Sequence, residues 1–219
     1  MVINRRGVVA GLAAATALAS AGLMPFSKKA FSAEECRRSP LGNLCSSFLP
    51  IEQLTKVYAS QALSEWCWAA SISMIFALNG HPVSQQRVVH DAYGAIVNMP
   101  GNYNALVGSL DRNWIDDDGD EFTTTIDKLF SMDSRTARLS NEDILEALGA
   151  GNGLLYCTTT HAMVLTAMKY LPGANGPRVV EAWVMDPWPG AGLRRLSARE
   201  LTPGILGGDM RMVASVGVS

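Results

Sequence analysis

Apolar and polar positions follow two different periods along this 219-residue chain. From Cys67 onward Ala69, Ile72 and Phe76 keep helical spacing until Asn79-Gly80 ends the run, and Ser64 is the candidate cap ahead of it. His81-Pro82-Val83 turns the chain, and Ser84 opens a second short helix through Tyr93, stopped by Gly94. A third helical stretch is expected from Asn104 to about Asn113. Upstream, residues 34–57 carry Pro40 and Pro50 and read as an irregular arm. Beyond an acidic loop at Asp116–Glu121 the period changes. Phe122–Phe130 reads as extended, Ser140-Asn-Glu-Asp143 as the start of a helix with Ile144, Leu145 and Leu148 on one face. Residues 153–158, 161–170 and 178–185 read as three strands, followed by a short helix near Ser197 and a last strand over 210–216. A helical first half and a sheet-rich second half predict an α+β fold.

The first 32 residues stand apart. Arg5-Arg6 precedes an uncharged, Ala- and Gly-rich stretch to Ser27, and Lys28-Lys29 follow. This resembles a twin-arginine export signal, with cleavage after Ser32 or Ala33, or earlier at Ala19-Ser20-Ala21. The alternative is a membrane anchor over Val8–Ser27, long enough for a hydrocarbon core of ~30 Å but dominated by small residues. Residues 33–219 then form one domain, with no membrane anchor once the signal is removed. The whole chain has a net charge of −2. Without Arg5, Arg6, Lys28 and Lys29, 14 of 18 cations remain against 20 acids, a charge of −6. That balance offers no basic footprint for nucleic acid. The chain reads as an exported monomer, periplasmic or secreted.

Cysteines bring in the chemistry. Cys36 and Cys45 frame a short Pro/Gly loop, where an oxidising compartment would permit a disulfide worth about 3 kcal/mol or less. Cys157, on an apolar strand, reads as a buried thiol; a Cys67–Cys157 disulfide would block any chemistry at Cys67. With three histidines and no Cys-x-x-Cys or His-x-x-x-His spacing, no metal is expected. Aligning Gly119 as the sixth residue of a calcium loop puts Trp114 first and Thr125 twelfth, so that motif fails. Cys67 differs from the other cysteines because it opens a helix, and a helix N-terminus stabilises thiolate. His161 begins a strand and Asp186 ends one. Cysteine, histidine and an orienting acid are the parts of a nucleophilic acyl-transfer site. Each has a structural reading beside the catalytic one: core cysteine, satisfied histidine, turn-starting aspartate.

The wording around these residues resembles papain-like cysteine proteases. Gln61 lies six residues before Cys67, and Cys67-Trp68-Ala69-Ala70-Ser71, His161-Ala-Met-Val and Asp186-Pro-Trp188 match the family's nucleophile, base and orienting segments. The likeness runs from Tyr58 to the C-terminus. Ser64-Glu65-Trp66 replaces the Cys-Gly-Ser/Ala run of larger members, and His161 follows Cys67 by only 94 residues. Those departures, with Asp186 in place of Asn, are similar to the compact bacterial branch, which includes secreted effector and bacteriocin-leader peptidases. The resemblance implies a helical half carrying the nucleophile, packed against an antiparallel sheet half. It implies a Cys67–His161–Asp186 triad, Gln61 and the Cys67 N–H as oxyanion donors, and a thioester intermediate without cofactor. Trp66, Trp68 and Trp188 are the candidate substrate-contacting aromatics, and the substrate would be a protein or peptide. Other thioester chemistry (amidase or acyl transfer) and a non-catalytic binding domain remain the alternatives.

Overall fold

The computed structural model describes residues 33–40 and 42–219; the export-signal reading of residues 1–32 lies outside the described residues. Among the described residues, six α-helices accompany one ten-stranded antiparallel sheet, an α+β arrangement.

The central strand is β7 (Ala162–Leu171), whose side chains are nearly all buried. Along one edge it pairs with β8 (Arg178–Asp186), and β9 (Gly192–Arg195) extends the sheet beyond. Two strands share the other edge. β6 (Leu154–Thr158) takes the beginning of β7, Cys157 facing Ala162, and β2 (Gly42–Phe48) takes its end, Phe48 facing Ala167. Beyond β6 lie β10 (Met210–Val218), β4 (Glu121–Ser131) and β3 (Arg112–Ile115), with the two-residue β5 (Thr136–Ala137) beside β4.

The predicted irregular arm is regular. β1 (Ala33–Ser39) and β2 form a hairpin with Cys36 opposite Cys45, and the two are disulfide-bonded. Pro50 then opens α1 (Ile51–Val57). Both prolines punctuate elements, one in the hairpin turn and one at a helix start, where no ladder N–H is needed. The first half is therefore not purely helical, and the third helix, α4 (Tyr103–Leu110), gives way to β3 at Arg112. Here Trp114 is buried and donates Nε1–H to Ser109 O at 3.0 Å.

The main helix, α2 (Cys67–Leu78), starts and ends where the pattern predicted. It is apolar all round, as befits a central helix. Ala69, Ala70, Ile72, Ile75 and Phe76 are fully buried, and α2 packs on β7 and β6. α3 (Gln85–Tyr93) and α4 pack beside it, while α5 (Asn141–Gly149) lies on β2, β6, β7 and β10. The predicted capping box of α5 is present: Ser140 Oγ accepts from Asp143 N–H, and Asp143 accepts from Ser140 N–H.

The acidic loop is a hairpin turn between β3 and β4 and is not wholly solvated. Asp116 is 3% exposed; it accepts from Asp118 and Asp120 N–H at 3.0 and 2.9 Å and bonds His81 Nδ1 at 2.9 Å. Its carboxylate organises the turn from within, as Asx side chains do. No helix among the described residues is long and apolar enough to cross a membrane.

Candidate active site

Two walls face each other across a cavity of about 310 Å³ lined by Cys67, Trp68, Pro100–Tyr103, Leu106, Asp133, Cys157, Thr158–Ala162, Arg211 and Met212. The first wall is the start of α2. Cys67 is its first helical residue and is half-buried, and Trp66 at the N-cap provides no side-chain acceptor. The uncapped first-turn N–H groups and the helix dipole thus favour negative charge at this end.

Residues 95–102 hold that helix end in place. Trp66 Nε1 donates to Val97 O at 2.8 Å, and Trp68 Nε1 to Met99 O at 3.1 Å. Asn98 Oδ1 accepts from Glu65 N–H at 3.0 Å, and Asn98 Nδ2 donates to Ser64 Oγ at 2.9 Å. Gly101 lies so close that a Cβ there would fall 2.4 Å from Trp68 Cγ. This corrects the expectation for the two tryptophans. At 2% and 1% exposure, Trp66 and Trp68 are core anchors whose indole N–H groups fasten a loop, and they present almost no surface to a ligand. Ser64 likewise belongs to this clasp and does not cap α2.

Gln61 is buried in the same wall, and its amide is already used. Nε2 donates to Leu63 O at 3.0 Å and Ser64 O at 2.8 Å, while Oε1 has no partner among the described residues. Two neighbouring carbonyls fix which end is NH₂, since carbonyls only accept. The backbone N–H of Gln61 donates to Pro187 O at 2.8 Å, tying this loop to the opposite wall. In this geometry Gln61 braces the turn that leads into Cys67, and its amide hydrogens are not aimed at a substrate oxygen.

The second wall comes from strand ends. Thr158 N–H donates to His161 O at 2.8 Å across the β6–β7 turn, placing His161 just before β7. The pairing of β7 with β8, Val164 opposite Met185, carries the end of β8 back toward that residue. His161 Nε2 and Asp186 Oδ1 are 2.6 Å apart, which leaves Nδ1 as the nitrogen for Cys67. Trp188 N–H donates to the same Oδ1 at 2.8 Å. The Trp188 ring is 54% exposed and meets the imidazole edge to face at 6.2 Å. Of the three candidate aromatics, Trp188 is the exposed one, while Trp68, though buried, reaches the cavity lining.

Electrostatics separates the site's members. Burial disfavours the His161 imidazolium, but hydrogen bonds to Asp186 and Cys67 outweigh it and raise its pKa to about 9. Burial also pushes Asp186 toward neutrality; hydrogen bonds from His161, Arg194 and Trp188 outweigh that and hold it below the usual carboxylate range. Cys157 lines the same cavity, yet it is 6% exposed and its pKa is raised by burial and by the nearby Cys67 and Asp133. Of the two unbonded cysteines, only Cys67 combines access, a helix terminus and a paired imidazole. The chemistry open to this row is deprotonation of a thiol by a histidine whose other nitrogen is fixed by a carboxylate.

Sequence reading missed Arg194 and Glu200. Arg194 Nε donates to Asp186 Oδ2 at 2.6 Å, and its two terminal nitrogens donate to Glu200 at 2.7 and 3.1 Å. Ser197-Ala-Arg-Glu200 has the spacing of a capping box, but nothing local says that its glutamate also faces a guanidinium. A larger concavity, about 800 Å³ between α3 and the β3–β4 hairpin, is lined by no cysteine among the described residues, and its arginines Arg87 and Arg112 are already paired with Asp117 and Asp91. Among the described residues no group of His, Cys, Asp and Glu is placed to hold a metal ion.

No family model matches this chain, and no curated protein matches it either.

Proposed function

We propose that this chain is an exported cysteine endopeptidase of papain-like architecture, acting through Cys67, His161 and Asp186. One observation carries the reading: a half-buried thiol at the uncapped start of α2 lines the same cavity as an imidazole whose Nε2 lies 2.6 Å from a buried carboxylate. The sequence likeness from Tyr58 onward supports it. The Cys36–Cys45 disulfide suits an oxidising compartment, and the Arg5-Arg6 segment suits a route to one.

The chemistry follows from the geometry. His161 takes the Cys67 proton, and the resulting thiolate–imidazolium pair rests on the helix terminus and on Asp186. The thiolate attacks a peptide carbonyl, forming the C–S bond and a tetrahedral oxyanion. The Cys67 N–H, at the first helical position where no intrahelical acceptor exists, stabilises that oxygen; a donor of this kind contributes about 2.7–4 kcal/mol. Gln61 joins it only by giving up its bond to Leu63 or Ser64. His161 then protonates the departing amine as the C–N bond breaks, and water, deprotonated by His161, hydrolyses the thioester.

The test is mass-spectrometric profiling of a peptide library with the mature protein under mild reduction. Cleavage by wild type and none by a folded Cys67→Ala variant is the expected result. Full activity in Cys67→Ala, or loss in Cys157→Ala alone, would overturn the assignment. For export, Arg5→Lys with Arg6→Lys should strand the precursor in the cytoplasm; normal export of that double variant would remove the twin-arginine route.

A further inference from the structure

The carboxylate that orients His161 is itself held from behind. Asp186 is 3% exposed and accepts three hydrogen bonds: His161 Nε2 and Trp188 N–H on Oδ1, Arg194 Nε on Oδ2. It cannot rotate about Cβ–Cγ without breaking at least one of them. The register of β8 and β9 explains why Arg194 reaches it. Val184 faces Arg194 and Asp186 faces Gly192. Residues 184 and 186 share one face of the strand, so Arg194 lies diagonally across from the carboxylate on that face. Glycine at 192 leaves the directly opposite position empty of side chain.

Arg194 is anchored in turn. Its end-on edge meets Glu200 bidentately, at 2.7 and 3.1 Å, and Nη2 also touches Met163 Sδ at 3.1 Å. Glu200 is the third residue of α6 (Ala198–Leu201), where Oε2 accepts from Ser197 N–H at 2.8 Å. Its backbone carbonyl accepts from Tyr156 Oη on β6 at 2.7 Å. The row therefore alternates in sign from His161 to Glu200, running imidazolium, carboxylate, guanidinium, carboxylate, with Cys67 at its head.

We infer that Arg194 is a positioning residue for the reaction proposed above, locking the Asp186 carboxylate in line with His161, and that Glu200 is its anchor. A planar guanidinium suits the task because it presents one edge to each carboxylate. Lysine supplies charge without that second edge. The charged and titratable groups facing Asp186 are His161 from the β6–β7 turn and Arg194 from β9, with Cys67 of α2 beyond His161 and Glu200 of α6 and Tyr156 of β6 beyond Arg194.

Signs separate this role from a purely structural one. Removing the cation in Arg194→Met makes every proton in the row harder to lose. Both limbs of the pH profile of kcat/KM should move to higher pH, with a loss at neutral pH between about ten- and a hundredfold from a loosened carboxylate. Glu200→Gln removes an anion while keeping an acceptor for Ser197, so its limbs should move the other way. Arg194→Lys should restore the wild-type limbs but only part of the rate. The imidazole of His161, followed by NMR in the same three variants of the full mature chain, should shift in the same directions whether or not the protein cleaves peptides. That titration keeps the inference distinct from the peptidase reading, and Glu200→Gln serves if Arg194→Met does not fold. Unmoved limbs and an unmoved His161 titration in Arg194→Met and Glu200→Gln would overturn the inference; so would equal full activity in Arg194→Met and Arg194→Lys.

Discussion

The two walls of the cleft are built from opposite physical materials. On the Cys67 side, position is set by burial: α2 is apolar on all faces, and the anchors are two buried indoles with their N–H groups on backbone carbonyls. On the His161 side, position is set by charge, in a row of Asp186, Arg194 and Glu200 spread over two strands and a short helix. Apolar packing is non-directional, so it can fix a helix while tolerating small errors at the thiol. Hydrogen-bonded charges are directional, which suits an imidazole that must point one nitrogen at a thiol and the other at an acid. A nucleophile needs a place; a base needs an orientation.

The largest expected effect breaks the charged wall. Asp186→Ala should lower kcat/KM by about 10²–10⁴-fold while Cys67 remains present, because His161 loses its fixed tautomer and the partner of its imidazolium. Asp186→Asn should retain more activity, since an amide oxygen still accepts from His161 Nε2. It should also lose its alkaline activity earlier than wild type, because an imidazolium facing a neutral amide gives up its proton more easily. Parallel pH–rate profiles measure both. Equal rates in all three proteins would reduce Asp186 to a turn residue.

A smaller effect probes the apolar wall. Trp66→Phe keeps most of the buried ring but leaves the Val97 carbonyl without its indole donor. The expected cost is about 1–3 kcal/mol of unfolding free energy, read from urea denaturation, with kcat changed far less than by Asp186→Ala. A large fall in kcat at unchanged stability would mean that the indole contacts substrate, contrary to its burial.

The same contrast explains how much of the molecule could be read from sequence. Local signals carried α2, α3, the Ser140 capping box and the strands around His161 and Asp186, because each rests on periodicity or a cap within a few residues. The β1–β2 hairpin was missed because Pro40 and Pro50 read as breakers, although one sits in the turn and the other starts α1. Cys67, His161 and Asp186 stood out by residue type and neighbours. Arg194 did not, since its role depends on a strand register that brings residues 186 and 194 diagonally together. Trp66 and Trp68 were legible as important but not as buried, because their partners at Val97 and Met99 lie in a loop 31 residues away. Gln61 sat at the expected spacing, but its amide is committed to backbone carbonyls two and three residues on.

The central claim, that Cys67 is a thiol activated by His161, is tested most directly by alkylation rates mapped by mass spectrometry across pH. Iodoacetamide should modify Cys67 far faster than the buried Cys157, because Cys67 is accessible and has beside it an imidazole whose cationic form persists to about pH 9. His161→Ala should slow Cys67 alkylation across the pH range and change the shape of its pH profile. Equal labelling of the two cysteines, or a Cys67 profile unchanged by His161→Ala, would contradict the account.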